Sequence, residues 1–268
     1  MMLKLTGHWQ SGFYAVTIPG IVLGICCFFF KDPPRGAVDN IDSTFKPGWH
    51  DYLNLLKIKS YVYNCLGMAA MTFAIGGISF WMPTYLREER GLQPGAANVV
   101  FGLIVVVSGL ASTLFGGWVA DKLRARFPGS YFHVCGVGMV TGFPCFLAML
   151  YTPFPWAWVA IFCACFCLFL NTGPGSAIIA NVTHPNVRAI AFALNIFVIH
   201  LLGEIVSWPL LGWIKEHYSL HAGFMLVSVM MAAGGVVWWL GAPHLKEDME
   251  AATHHGEATA RSAPAPVP

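Results

Sequence analysis

The chain has 268 residues, of which 56% are hydrophobic and only 10% charged, with a mean hydropathy of +0.62. A soluble domain carries about 25% charged residues, so this composition excludes a water-soluble globular fold and describes an integral membrane protein. The net charge of +2 comes with no basic cluster on any one element, and no nucleic-acid partner is expected.

A transmembrane helix needs about 20 mostly apolar residues, and seven stretches qualify: 12–30, 60–86, 96–120, 130–150, 156–182, 188–213 and 222–243. Runs this long exclude a barrel, whose strands would alternate. Lipid offers backbone groups no partners, which leaves an all-α membrane fold. The eight cysteines lie almost entirely inside these runs, as at Cys163, Cys165 and Cys167. They read as small packing residues rather than as metal ligands or disulfides. No cofactor and no metal site is expected.

After the first span, "KDPPRGAVDN" is a Pro/Gly-rich breaker. The following "WHDYLNLLKIKS" puts Trp49, Leu53 and Leu56 on one helical face, with Asp51, Asn54 and Lys57 elsewhere. It reads as a short amphipathic helix on the inner leaflet, the alternative being an extension of the next span. In the second span Tyr61, Asn64 and Thr72 are candidate cavity-lining residues. The third ends "FGGWVADKLRARFPGS", where Gly116 and Gly117 allow close helix approach. Asp121 follows at the helix rim, with Lys122 and Arg124 beyond it.

The fifth span holds "FLNTGPGSAIIANV". Gly173, Pro174 and Gly175 are expected to break this helix near mid-membrane and act as a hinge, with Asn171, Thr172 and Ser176 flanking and Asn171 a candidate substrate contact. The sixth span holds "IFVIHLLGEIV". His200 and Glu204 would lie one above the other, about 6 Å apart along the axis. An ionisable group in lipid costs a few kcal/mol. A stripe at helical spacing, Ala189, Ala193, Phe197, His200, Glu204, Ser207 and Leu211, is expected to face the bundle interior. The pair then serves proton coupling or substrate contact, or forms a packing hydrogen bond; two ligands are too few for a metal. The tail from 246 to 268 is expected to be disordered.

Lys and Arg set the orientation. Lys31, Arg35, Lys46, Lys57, Lys59, Lys122, Arg124, Arg126, Arg188, Lys246 and Arg261 fall on one side, eleven in all, against Lys4, Arg87, Arg90 and Lys215 on the other. The first side is expected to be cytoplasmic, with the C-terminus inside and the N-terminus outside, in the cell (inner) membrane. An outside N-terminus with no signal peptide is expected of a chain whose upstream helices are missing.

Gly117-Trp118-Val119-Ala120-Asp121-Lys122 resembles the Gly-x-Leu-Ala-Asp-Arg loop motif of the major facilitator superfamily, with Arg124 in place of the usual second glycine. "GGISFWMPTYLREERGL", Gly76 to Leu92, resembles the seventh helix of the spinster-like transporters in that superfamily. "IPGIVLGICCFFFKDPPRG" resembles the end of their sixth helix. "NVTHPNVRAIAFALNIFVIHLLGEIVSWPLLGWI" is similar to their eleventh helix and the loop before it. There the family shows His-Leu-Leu-Gly-Asp and then Ser-Pro; here Glu204 replaces the Asp, and Trp208 separates Ser207 from Pro209. The resemblance runs to about residue 245.

It implies that residues 1–30 form the last helix of an otherwise missing N-terminal bundle and 31–59 a cytoplasmic linker. Residues 60–245 would be the C-terminal six-helix bundle. Gly117, Asp121, Lys122 and Arg124 would form a cytoplasmic gate. The implied activity is secondary-active transport of a lipid-like or amphipathic substrate by alternating access, with protons a candidate coupling ion and the bilayer as partner. The alternatives are a transporter of small organic anions and a truncated, non-transporting membrane protein. Span interiors without Arg or Lys count against the first of these. No nucleophile spacing accompanies His200 and Glu204, so an enzyme is not expected.

Overall fold

Among the residues described by the computed structural model, 10–30 and 48–252, regular structure is helical throughout. The chain divides into two units, Met1–Thr44 and Phe45–Pro268. In the first, α1 (Ser11–Cys27) is a 17-residue apolar helix with Pro19 inside it. At 1.5 Å per residue it is about 25 Å long. The sequence span reached residue 30, but Phe28, Phe29 and Phe30 leave the helix in turns. The breaker and most of the linker, 31–47, lie outside the described residues.

The second unit holds α2 (Trp49–Leu55), α3 (Lys59–Glu88), α4 (Pro94–Arg124), α5 (Ser130–Tyr151), α6 (Trp156–Phe169), α7 (Thr172–Val182), α8 (Pro185–Ile199), a π-turn (His200–Glu204), α9 (Ile205–His217) and α10 (Leu220–Gly241). Six helical stretches here are long and apolar enough to cross a membrane; α6 with α7, and α8 through α9, each count as one.

In α2 the anchoring residue is Leu55, 2% exposed, while Trp49, Leu53 and Leu56 stay open. The seven-residue helix docks against α8 by the edge of its apolar face and leaves the rest uncovered. α3 ends at Gly91, whose φ of +66° suits a residue with no Cβ. Arg90 then turns back to donate to the carbonyls of Met149, Leu150 and Thr152, capping the end of α5.

α3 is the axis of the unit: 67% of its most apolar window is buried, against 17% for the Pro185–His217 stretch. The two run side by side in the same direction. Tyr61 donates to the Ala191 carbonyl (2.8 Å), Gly76 abuts Glu204 and Ser207, Gly77 abuts Leu211, and Lys215 pairs with Glu88 (2.8 Å). α3 also packs along α10, where a Cβ at Gly67 would come within 2.7 Å of the Trp238 ring. Small residues at such crossings let backbones approach where lipid supplies no hydrophobic drive.

Residues 246–252, the start of the tail expected to be disordered, are helical. After a 3₁₀ turn at Ala242–His244 the chain stays helical to residue 252. Leu245 is fully buried and the Asp248 carboxylate accepts from the Ser60 N–H (2.8 Å), filling an open donor in the first turn of α3. Residues 253–268 are outside the described residues.

Candidate functional site

The fifth span is interrupted, but at Leu170–Asn171 rather than at the Gly173-Pro174-Gly175 run itself. Pro174 has no N–H and its ring crowds the carbonyl four residues back, so its effect falls on Leu170. That carbonyl is accommodated by Gly116 of α4, where a Cβ would collide with it. The tripeptide lies in the first turn and a half of α7, with Pro174 and Gly175 buried. Gly173 faces Gly117 and the Thr113 carbonyl, at 3.4–3.5 Å from the position of a Cβ.

Asn171 is fully buried. Its Nδ2 donates to the Leu168 and Cys167 carbonyls (3.1 and 3.4 Å), and its Oδ1 lies against Gly138 of α5. Its partners lie on α5 and its own helix, not on α8 or α9. The structure therefore does not bring Asn171 to His200 and Glu204.

His200 and Glu204 bound a π-turn, which absorbs one extra residue, roughly 100° of helical rotation. His200 Nδ1 and Glu204 Oε2 are 2.6 Å apart, with side chains 52% and 28% exposed. The expected stripe is split by this turn. Ala189, Ala193, Phe197 and His200 are exposed, whereas Ser207 and Leu211 are buried. The inward residues of α8 are instead Ala191 and Asn195, followed by Gly203 in the π-turn. Ala189, Ala193, Phe197 and His200 thus share the open side of the helix, away from α3.

Glycines hold the turn against α3. A Cβ at Gly203 would stand 2.8 Å from the Ala69 carbonyl oxygen and 2.8 Å from Thr72 Cβ; a Cβ at Gly76 would stand 2.8 Å from both Glu204 Cγ and Ser207 Oγ. The carboxylate stem is thus wedged beside α3 while its head reaches the open side. Ser207 donates to the Glu204 carbonyl (3.0 Å). Between Met68 and Trp81, α3 carries no titratable side chain, so the pair meets no further charge from that helix.

At the end of α4, Asp121 Oδ1 accepts from the Tyr131 hydroxyl of α5 (2.8 Å), and the Arg124 guanidinium lies 5.8 Å from the same ring. Lys122 Nζ sits over Trp118, 4.8 Å from its centroid. Gly117, with open space around its missing Cβ, is less constrained than Gly116.

Sequence reasoning had no signal for Tyr131, which meets Asp121 only through the α4–α5 turn. It also missed Trp238, whose Nε1 donates to Asn64 Oδ1 (3.0 Å). Of the expected cavity residues, Tyr61, Asn64 and Thr72 are all buried. Thr72 bonds its own helix at Met68 (2.6 Å), and Tyr61 and Asn64 bond neighbouring helices. Among the described residues no cluster of three or more His, Cys, Asp or Glu could hold a metal ion.

The chain is 32% identical to Protein spinster homolog 3 of Danio rerio, covering 92% of this chain and 56% of that protein. It is 28% identical to the Sphingosine-1-phosphate transporter SPNS2 of Danio rerio, covering 95% and 57%. The chain thus spans about half the length of the curated relatives it matches. Among solved structures, it superposes on a bacterial homolog of the human lysosomal transporter Spinster, crystallised inward-facing and unoccupied. The TM-score is 0.59 at 17% identity, over 90% of this chain and 59% of that one. That level of identity speaks for the fold. The sequence profile of the Major Facilitator Superfamily matches residues 1–205, and the chain belongs to that family.

Proposed function

We propose that this chain is the C-terminal part of a spinster-type secondary transporter that moves a lipid-like, amphipathic substrate by alternating access. In this reading His200 and Glu204 form its proton-coupling element. One observation carries the assignment: a His200–Glu204 hydrogen bond 2.6 Å long on the open face of the Pro185–His217 stretch. A carboxylate in a membrane helix persists when it is paired or meets water. Here it is paired, and its open side is free to face a vestibule.

Coupling requires that Glu204 hold its proton differently in the inward- and outward-facing states, because equal protonation in both couples nothing. His200 supplies the state-dependent partner. Ser207, fully buried with its hydroxyl on the Glu204 carbonyl, supports the pair from behind rather than touching substrate, while the Leu170–Asn171 turn works as the hinge of the fifth span. Asp121, Lys122 and Arg124 act at the gate on the cytoplasmic side, with the C-terminus inside and the protein in the cell membrane. The absence of Lys and Arg from the span interiors favours an amphipathic substrate over a small organic anion.

The test is uptake of a fluorescent sphingoid base into proteoliposomes holding this chain, alone and together with the N-terminal half of a spinster relative. Glu204→Gln should flatten the pH profile, and His200→Ala should shift it. If both variants transport at the parental rate with an unchanged profile, the pair is structural only.

A further inference from the structure

The turn at Leu170–Asn171 separates two helical halves that answer to different neighbours. α6 packs chiefly against α4 and α5, whereas α7 adds contacts with α3 and α8. Met68 packs against Gly175, and the hydrogen bond between the two helices is made by Asn64. Asn64 Nδ2 donates to the Gly175 carbonyl (3.0 Å), and Asn64 Oδ1 accepts from Trp238 Nε1 of α10 (3.0 Å). Asn64 and Trp238 are both fully buried, so neither bond competes with water, and losing one strands a polar group. Trp238 fixes the amide orientation that offers Nδ2 to Gly175.

On the other side of the turn the opposite holds. Asn171 is fully buried, yet its Oδ1 has no hydrogen-bond partner. A buried acceptor left unpaired is uncommon in native structures. The interruption therefore carries a satisfied amide on the α7 side, at Asn64, and an unsatisfied one at the turn, Asn171.

We infer that Asn64 is the positioning residue of the hinge: it latches α7 to α3 and α10 in this conformation, and Asn171 Oδ1 gains a partner when α7 is released. The inference rests on the hinge reading above. It ties α7, which also packs on α4 and α5, to the α3–α10 pair by a hydrogen bond that α6 lacks. It also explains why an asparagine sits in an otherwise apolar part of α3.

Amide hydrogen exchange on the full chain in lipid nanodiscs tests this without a transport assay. Asn64→Leu is expected to speed exchange in Thr172–Val182 about fivefold, the effect of one lost hydrogen bond, while Trp156–Phe169 keeps its parental rate. Trp238→Phe removes the orienting donor but leaves Asn64, and should speed the same segment about twofold. If Asn64→Leu does not fold, Trp238→Phe decides alone. Equal acceleration of both segments, or of neither, overturns the latch. A differential response in a chain that transports nothing even with the N-terminal half of a spinster relative would keep the latch and refute the transport reading.

Discussion

The Trp156–Val182 and Pro185–His217 stretches are both interrupted, and the two breaks sit in different surroundings. The turn at Leu170–Asn171 is buried, lined by Gly116 and Gly138, and closes around amide and carbonyl groups. The π-turn at His200–Glu204 is buried on one side only, at Gly203, and presents an ion pair on the other. A proline stands behind the first. The second contains Gly203 and is followed by Pro209, whose ring by the same rule crowds the carbonyl of Ile205 at the edge of the π-turn, and its extra residue is accommodated by contact with α3. The contrast separates two jobs: a buried break can bend the helix, whereas a half-open one can expose an ionisable group while keeping the helix continuous.

The largest effect should come from filling the notch that receives Leu170. Gly116→Leu must displace a backbone carbonyl, and overpacking of this kind costs about 3 kcal/mol. Gly117→Leu, with open space at its Cβ, should change thermal unfolding in detergent by less than about 0.5 kcal/mol. Equal behaviour of the two would show that the turn is not seated in α4.

Gly203→Ala comes next. Its methyl would meet the Ala69 carbonyl oxygen and Thr72 Cβ at 2.8 Å, so a loss of about 2 kcal/mol is expected, with His200 and Glu204 moved relative to α3. A neutral result would mean that the π-turn is not held by that contact.

Pro174→Ala asks whether proline or packing makes the buried break. Alanine restores an N–H for the Leu170 carbonyl, so exchange at residues 170–175 should slow and stability should rise by about 1 kcal/mol. An unchanged turn would assign the break to the Gly116 notch alone.

The smallest effect is expected at the exposed pair. His200→Ala removes half of an ion pair whose histidine is 52% exposed, and such pairs contribute about 0.5 kcal/mol. Thermal stability should barely move while the pH profile of transport shifts. A large loss of stability would make the pair a packing element.

Much of this was legible in the residues. Hydropathy placed the six long spans of the second unit, because lipid permits only structures that satisfy their own backbone. Proline at 174 announced an interrupted helix, and His200 with Glu204 stood out because charge is absent from every other span interior. Their i, i+4 spacing did place them within bonding distance. The face of α8 was not legible, since periodicity assumes 3.6 residues per turn and a single π-turn voids it. Neither was the placement of Asn171, which has the same polar character as a cavity residue but is closed in by α5.

Composition and spacing alone thus determined that the chain is helical, membrane-embedded and interrupted near Pro174, because these follow from the solvent and from local chemistry. Which side chains meet was decided only by the tertiary structure. Tyr131 reaches Asp121, Trp238 orients Asn64, and Asp248 caps the start of α3, a pairing 188 residues apart. Such contacts depend on how closely helices approach. That approach is set where glycines such as Gly67, Gly76, Gly116 and Gly203 happen to face another backbone or side chain, and no local pattern along one helix encodes its neighbour's surface.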